Sequence, residues 1–337
     1  MADFESAKRN AANKAVADHF DPSAKYVGIG SGSTIVYVVD AIRDFKDDRV
    51  SDILYVPTGH QSRELIVKAG LKDVRFDSLP KDTLMDVSFD GADEVDEDLN
   101  CIKGGGACLY QEKLVATHSR KFICVAGKWA KLALRHKSSY ITFDLHSTRL
   151  LGSELSPLTG SSPPPSPPPK IDHRKLQPRL LSKWPSIPIE VEPLAVSAVL
   201  SALLLLGSDT PSIRKDKKEN AEPIKTDQNN YIVDAPFPTL LLPRDCAKSL
   251  SLHPTHKGME GKGEGGKWDV ETLAREIKLI EGVLSVGLFV GQNGLQAQQA
   301  GQKKGGQKPM AVYFGMEDGS VEVRNADGLG QERPVDS

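Results

Sequence analysis

From Leu84 to Ala126 an alternating apolar run, an acidic loop, a glycine triplet, a helical stretch and a second apolar run follow one another without a break, a succession few folds accommodate. Leu84 to Phe89 has the length and alternation of a strand. Asp90, Gly91, Ala92 and Asp93 then fall where the strand ends, the usual place for ligand-binding loops in an open α/β sheet. Two carboxylates three residues apart in such a loop can converge on the hydroxyls of a polar ligand. Lys103 adds a cation, and Gly104, Gly105 and Gly106 add a backbone free to approach that ligand closely. In the next helix Cys108, Leu109, Val115 and Ala116 recur at roughly helical spacing, with Glu112 on the same face. Burial among apolar neighbours raises the pKa of such a carboxylate and makes it a usable base near neutrality. Taken singly, acids in loops cap or are solvated, and glycine triplets are turns. In this order and this close together they point to an active site.

A second strand-to-helix transition precedes it. Tyr26 to Ile29 reads as a buried strand, and Gly30-Ser31-Gly32-Ser33-Thr34 leads into a helix with Ile35, Val38, Val39, Ile42 and Phe45 on one side. Free backbone N–H groups and the positive end of the helix dipole meet there, which makes an anion site. Gly28, Gly30 and Gly32 also suggest a dinucleotide turn. Against that, the third fingerprint glycine is displaced, and the next strand, Ile53 to Val56, runs into Pro57 and Thr58 where an acid for a ribose hydroxyl belongs. The hydroxyls of Ser31, Ser33 and Thr34 suit a phosphate monoester or a polar sugar better.

Phe89-Asp-Gly-Ala-Asp-Glu94, Ile102-Lys-Gly-Gly-Gly-Ala107 and Gln111-Glu-Lys113 closely resemble the signature of the type A ribose-5-phosphate isomerases. The glycine-rich turn after Ile29 and the segment Pro57 to Arg63 extend the resemblance, with Ser31 standing where threonine is common. It implies interconversion of ribose 5-phosphate and ribulose 5-phosphate in the pentose phosphate pathway, with no metal or organic cofactor, in a homodimer or homotetramer. It also implies roles. Glu112 is the base, assisted by Asp90 and Asp93. Ser31, Gly32, Ser33, Thr34, Asp90 to Asp93 and Lys103 to Gly106 bind substrate with Lys175, and Lys8 is a weaker candidate beside the phosphate. A sugar-phosphate sensor on the same fold would need the phosphate loop but not Glu112.

The chain departs from the family after Phe122 to Ala126. The expected Asp-x-Arg-Lys run appears only at Asp172-His-Arg-Lys175, beyond a segment containing Ser161-Ser-Pro-Pro-Pro-Ser-Pro-Pro-Pro169. That tract favours extended polyproline conformation and has no means of burying a core, so residues 127–171 are expected to be a disordered insertion. One reading is a tolerated surface loop; another is an insertion that inactivates the enzyme. Its ends fit a translated, unspliced intron: Gly127-Lys-Trp can be written around a 5′ splice consensus and the Ser/Pro tract almost wholly in pyrimidines. Genomic sequence lacking splice sites at those two points would refute the intron.

The remainder sets the architecture. Residues 1–126, 172–184 and about 310–325 are expected to form a Rossmann-like α/β open-sheet domain. Residues 185–309 should form a smaller α+β, ferredoxin-like domain. Its strands are expected at Ile187–Val191, Tyr231–Ala235 and Val283–Phe289, and its helices at Leu194–Leu206 and Asp269–Ile280. Ser208 to Asp227 reads as a charged connection, and 251–267 and 291–309 as mobile loops. Met310 to Val323 reads as a hairpin turning at Glu317-Asp-Gly-Ser320, with a frayed tail after Arg324.

Forty-three basic against forty-five acidic residues leave no global field to argue for nucleic acid or an anionic membrane, so any anion site must be local. Four cysteines without metal-ligand spacing suit reduced thiols in the cytosol. The longest apolar run, Leu194 to Leu206, is too short to span a bilayer, and Met1 to Asn10 lacks a secretory apolar stretch. A cytoplasmic protein is expected, with a small-molecule sugar phosphate as its partner.

Overall fold

The computed structural model describes residues 4–126, 175–216, 222–246, 261–316 and 318–326. The expected insertion at 127–171, the first part of the expected loop at 251–267, Glu317 of the expected hairpin turn and the tail from 327 lie outside the described residues.

The larger sheet holds Tyr26–Ile29 (β1), Leu54–Pro57 (β2), Lys72–Asp73 (β3), Val87–Asp90 (β4), Phe122–Ala126 (β7), Ala311–Gly315 (β13) and Val321–Asn325 (β14). Its order is β14-β13-β7-β4-β1-β2-β3, parallel throughout except for the β14 edge. Every residue of β1, β4 and β7 is buried, as continuous apolar strands must be when helices cover both sheet faces. Phe4–His19 (α1) and Ile35–Arg43 (α2) pack together on one face, α2 through the stripe Ile35, Val38, Val39 and Ile42. Leu109–Thr117 (α4) lies on the other, so close that a Cβ at Gly28 would sit 2.5 Å from a Val115 methyl. His60–Lys68 (α3) connects β2 to β3. Strand order reverses between β1 and β4, so the loops leaving their carboxyl ends part there and open a crevice.

A second, antiparallel sheet has the order β11-β8-β10-β9, built from Ile187–Val191 (β8), Ser212–Ile213 (β9), Tyr231–Ala235 (β10) and Val283–Val286 (β11). Val196–Leu205 (α5) joins β8 to β9, and Val270–Lys278 (α6), capped by Asp269, joins β10 to β11. Ile189, Val191, Val199, Leu203, Val233, Leu273 and Ile277 make its core. A small sheet of Glu94–Val95 (β5), Cys101–Ile102 (β6) and Leu288–Phe289 (β12) ties the two units together.

Several expectations are corrected. Val283 to Phe289 is two strands, because at Gly287 the chain changes sheets. Its N–H donates to Pro188 O at 2.7 Å and its carbonyl accepts from Lys103 N–H at 2.9 Å. A Cβ there would lie 2.5 Å from Lys103 O and 2.7 Å from Pro188 O, so only glycine fits. The connection after Ser208 contains β9, paired with β10. Within residues 291–309, expected as a mobile loop, Gly294–Gln299 forms α7, capped by Asn293, and Gly294, Gly305 and Gly306 sit against the backbones of residues 119–120 and 292–293. Those glycines mark close packing instead of looseness. Within the other expected loop, Glu264–Gly266 is a 3-10 turn and Lys262 lies over the Trp268 ring. The first strand of the motif starts at Val87, not Leu84, and takes in Asp90. No helix among the described residues is long and apolar enough to cross a membrane.

Candidate active site

The loop leaving β1 and the loop leaving β4 are tied by Asp90. Its Oδ1 accepts the N–H of Ser31 at 3.1 Å and of Gly91 at 2.7 Å. Gly30 permits this approach, since a Cβ there would fall 2.1 Å from Asp90 Oδ1. Gly32 then turns with φ +97° into the start of α2, a conformation that favours glycine. Ser33 Oγ accepts from Lys8 Nζ at 3.1 Å, which brings α1 to the loop.

Lys103 follows β6 and is only 2% exposed. Its ammonium donates to Gly91 O at 2.6 Å and lies 2.9 Å from Asp90 Oδ2 and 3.5 Å from Glu112 Oε2. The Gly105 N–H donates to Asp93 Oδ2 at 2.8 Å, and Lys175 Nζ to Ala92 O at 2.6 Å. Glu112, 3% exposed, projects from α4. Ser31 Oγ donates to its Oε1 at 2.6 Å, while among the described residues nothing donates a hydrogen bond to Oε2. The apolar setting expected for Glu112 is therefore corrected: its carboxylate meets a hydroxyl and an ammonium. Cys108 provides no side-chain cap for α4, and Glu190 of β8 takes that part by accepting the Tyr110 N–H at 2.8 Å.

Charge is arranged by burial. Burial lifts Asp90 to about 7 against the pull of Lys103, with Glu112 adding to the rise. Asp93 is also raised by burial, with Lys175 opposing. For Lys103, burial works downward, but Asp90 and Glu112 outweigh it and hold the ammonium above its ordinary value. Burial lowers Lys175, with Asp93 opposing. The result is a polar pocket of about 160 Å³ lined by Ser31 to Thr34, Gly91 to Asp93, Lys103 to Gly106, Glu112 and Lys175.

These are the residues singled out from the sequence, with two exceptions. Asp90 lies beneath the lining and reaches it through Lys103, and Lys8 reaches it through Ser33. Lys175 joins the pocket although residues 127–174 separate it from β7 along the chain. A larger cavity of about 780 Å³ is lined in part by α4 and α6; of its acids, Asp269 is occupied in capping α6 and Glu271 stands in that helix's first turn. The smaller pocket is the one lined by the residues singled out from the sequence. Among the described residues no three His, Cys, Asp or Glu side chains gather as around a metal ion.

Two cations around the site were given no role from the sequence, although Lys113 stands in the quoted motif Gln111-Glu-Lys113. Lys113 turns away from the pocket, donates to Leu288 O at 2.6 Å and Gln307 Oε1 at 2.8 Å, and lies over the Phe289 ring; burial pushes it down to about 7. Its place in the motif beside Glu112 was the available signal. Arg214, in the charged connection, donates to Gly104 O at 2.8 Å and Gly105 O at 3.1 Å. Nothing local marks it, because its partners are far away in the chain.

A sequence profile described as Ribose 5-phosphate isomerase A (phosphoriboisomerase A) matches residues 54–137 and 171–255, and so passes over 138–170. A protein of Mycosarcoma maydis named ribose-5-phosphate isomerase is 34% identical over 333 residues, covering 98% of this chain and 85% of its own. One of the same name from Schizosaccharomyces pombe is 33% identical over 329 residues, covering 97% and 86%. The solved structure of ribose 5-phosphate isomerase from Plasmodium falciparum shares the fold with a TM-score of 0.62 at 24% identity, covering 96% of this chain and 99% of its own.

Proposed function

The chain belongs to the ribose 5-phosphate isomerase A family, and from that premise we propose how its pocket works. The protein interconverts D-ribose 5-phosphate and D-ribulose 5-phosphate, an aldose-ketose isomerisation of the pentose phosphate pathway. The reaction moves a proton between C2 and C1 of the open-chain sugar through an enediol. One base must reach both carbons. Glu112 is that base, and the observation that carries the assignment is its asymmetry: Oε1 is pinned by Ser31, while Oε2 accepts no hydrogen bond among the described residues and lies 3.5 Å from the Lys103 ammonium. A carboxylate held so keeps one oxygen oriented and ready to accept the proton.

Lys103 stabilises the enediolate oxygen. Its ammonium is already held by Gly91 O and Asp90, so little reorganisation is needed when negative charge develops. Asp93, fixed by the Gly105 N–H, holds a substrate hydroxyl, and Asp90 assists transfer of the hydroxyl proton through its hold on Lys103. The Ser31–Thr34 turn at the start of α2 holds polar groups of the substrate, the phosphate among them, with Lys8 and Lys175 as nearby cations. The relatives' names give no support to a nicotinamide dehydrogenase, a non-catalytic sensor or an isomerase inactivated by its insertion.

We further read the larger sheet as Rossmann-like, supported by parallel order on either side of the β1–β4 reversal, and the smaller unit as ferredoxin-like, supported by its β11-β8-β10-β9 order. We read residues 127–171 as an insertion into the larger unit; the profile's omission of 138–170 supports the part from 138 on, while its match runs through 127–137. Exposed Leu194, Leu205 and Leu279 on the smaller unit suit a homodimer or homotetramer, and the free thiols of Cys101, Cys108, Cys124 and Cys246 suit the reducing cytoplasm.

Glu112→Gln tests the assignment. Turnover is expected to fall by about two to four orders of magnitude while ribose 5-phosphate still binds in calorimetry. A variant that turns over like the parent removes Glu112 from the chemistry.

A further inference from the structure

We propose that Arg214, in the smaller unit, is a positioning residue for the isomerisation, gripping the Gly104–Gly106 loop from outside the pocket so that its N–H groups keep their direction. The inference rests on the reading of that loop and Asp93 as part of the substrate site.

The geometry is a chain of planar groups. Asp234 of β10 receives Arg214 Nε at 2.8 Å and Nη2 at 2.5 Å, a two-pronged pair that fixes the plane of the guanidinium. Nη1 is left to donate to Gly104 O at 2.8 Å and Gly105 O at 3.1 Å. Gly104 O and the Gly105 N–H belong to one peptide unit, and in a trans peptide they point in opposite directions. That N–H donates to Asp93 Oδ2 at 2.8 Å, so a single peptide is held by Arg214 at one end and by Asp93 at the other. By the same planarity, holding Gly105 O sends the Gly106 N–H away from Arg214, on the side where Gly106 lines the pocket.

Three successive glycines have no side chain to fix these peptide planes; beside the turn's own bond, Ala107 N–H to Gly104 O at 3.2 Å, the hold comes from Arg214 and Asp93. Arg214 is itself anchored, with its N–H on Ile232 O at 2.7 Å and its carbonyl accepting from Ile224 N–H at 2.9 Å. It does not line the pocket and touches no substrate position. A lysine could supply the charge, but not the fork that serves Asp234 and two carbonyls at once.

The test is steady-state kinetics on the full chain carrying Arg214→Met, Arg214→Lys or Asp234→Asn, with Asp93→Asn beside them. Arg214→Met is expected to lower kcat about tenfold or more while KM for ribose 5-phosphate stays within about threefold, because misdirected groups act on the transition state. Arg214→Lys should recover little of it, and Arg214→Ala should regain part of its kcat with added methylguanidinium. Asp234→Asn should move kcat in the same direction by less, and decides the matter if Arg214→Met does not fold. Unchanged kcat in the folded Arg214 variants, or a loss seen only as a lower melting temperature, overturns the inference. If Asp93→Asn slows turnover and the Arg214 variants do not, only the role of Arg214 fails. If Asp93→Asn is also silent, the reading of the pocket fails with it.

Discussion

Lys103 is shared by Asp90 and Glu112, and the division of labour among the three depends on which carboxyl yields to burial. Burial pushes Asp90 up to about 7, so its ion pair with Lys103 forms fully only above that pH. Protonation of Asp90 below about pH 7 weakens its hold on the ammonium, so kcat/KM should fall as pH drops through that value. Asp90→Asn is expected to lower the rate and remove this acid limb, as read from pH–rate profiles of parent and variant. An unchanged limb in the variant would assign it to another group. The pocket residues were legible because all but Lys175 sit in short local stretches, at 31–34, 91–93, 103–106 and 112, each with the chemistry its turn or helix requires. Arg214 was not, since its partners at Gly104 and Gly105 are set by tertiary packing. The surroundings of Glu112 were misread for a related reason: helical spacing shows the face a residue occupies, not what the opposing loop brings to it.

Elements were most legible where strands are mainly apolar, as in β7, β8 and β10, whose bounds match the expected ones although β8 carries Glu190 and β10 Asp234. They were least legible where glycine permits an approach that pattern cannot reveal. Gly287 divides an apolar run into β11 and β12 and passes between the backbones of Pro188 and Lys103. Gly287→Ala is therefore expected to cost about 1–3 kcal/mol by overpacking, measured by denaturant unfolding. Because Lys103 lies against that crossing, turnover should fall as well; a variant with parental stability and rate would show that the crossing can relax. The glycine-rich stretch around α7 was taken for a loose loop on composition, yet Gly305 comes so near Ser119 O that a Cβ would lie 1.9 Å away.

At the scale of the molecule, a formal charge of −2 gives no long-range attraction for a phosphate, so the proposed binding rests on cations gathered locally, Lys8, Lys103 and Lys175 among them. Two of these come from distant parts of the chain, and Lys175 takes its place beyond the insertion. Closing a loop of this length costs roughly 3 kcal/mol plus a constant and grows only logarithmically, so the fold can carry it. Removing Gly127 to Ile171 joins Ala126 to Asp172 and should leave kcat within about threefold of the full chain while raising the melting temperature, as smaller closure entropy requires. A shortened chain that alone is active would make the insertion foreign to the working enzyme. The most direct measurement is the initial rate of ribulose 5-phosphate formation from ribose 5-phosphate by the full chain, run in parallel with Glu112→Gln. Saturable turnover by the parent that collapses in the folded variant is the expected result; no turnover by a well-folded parent, or equal turnover by both proteins, would contradict the account.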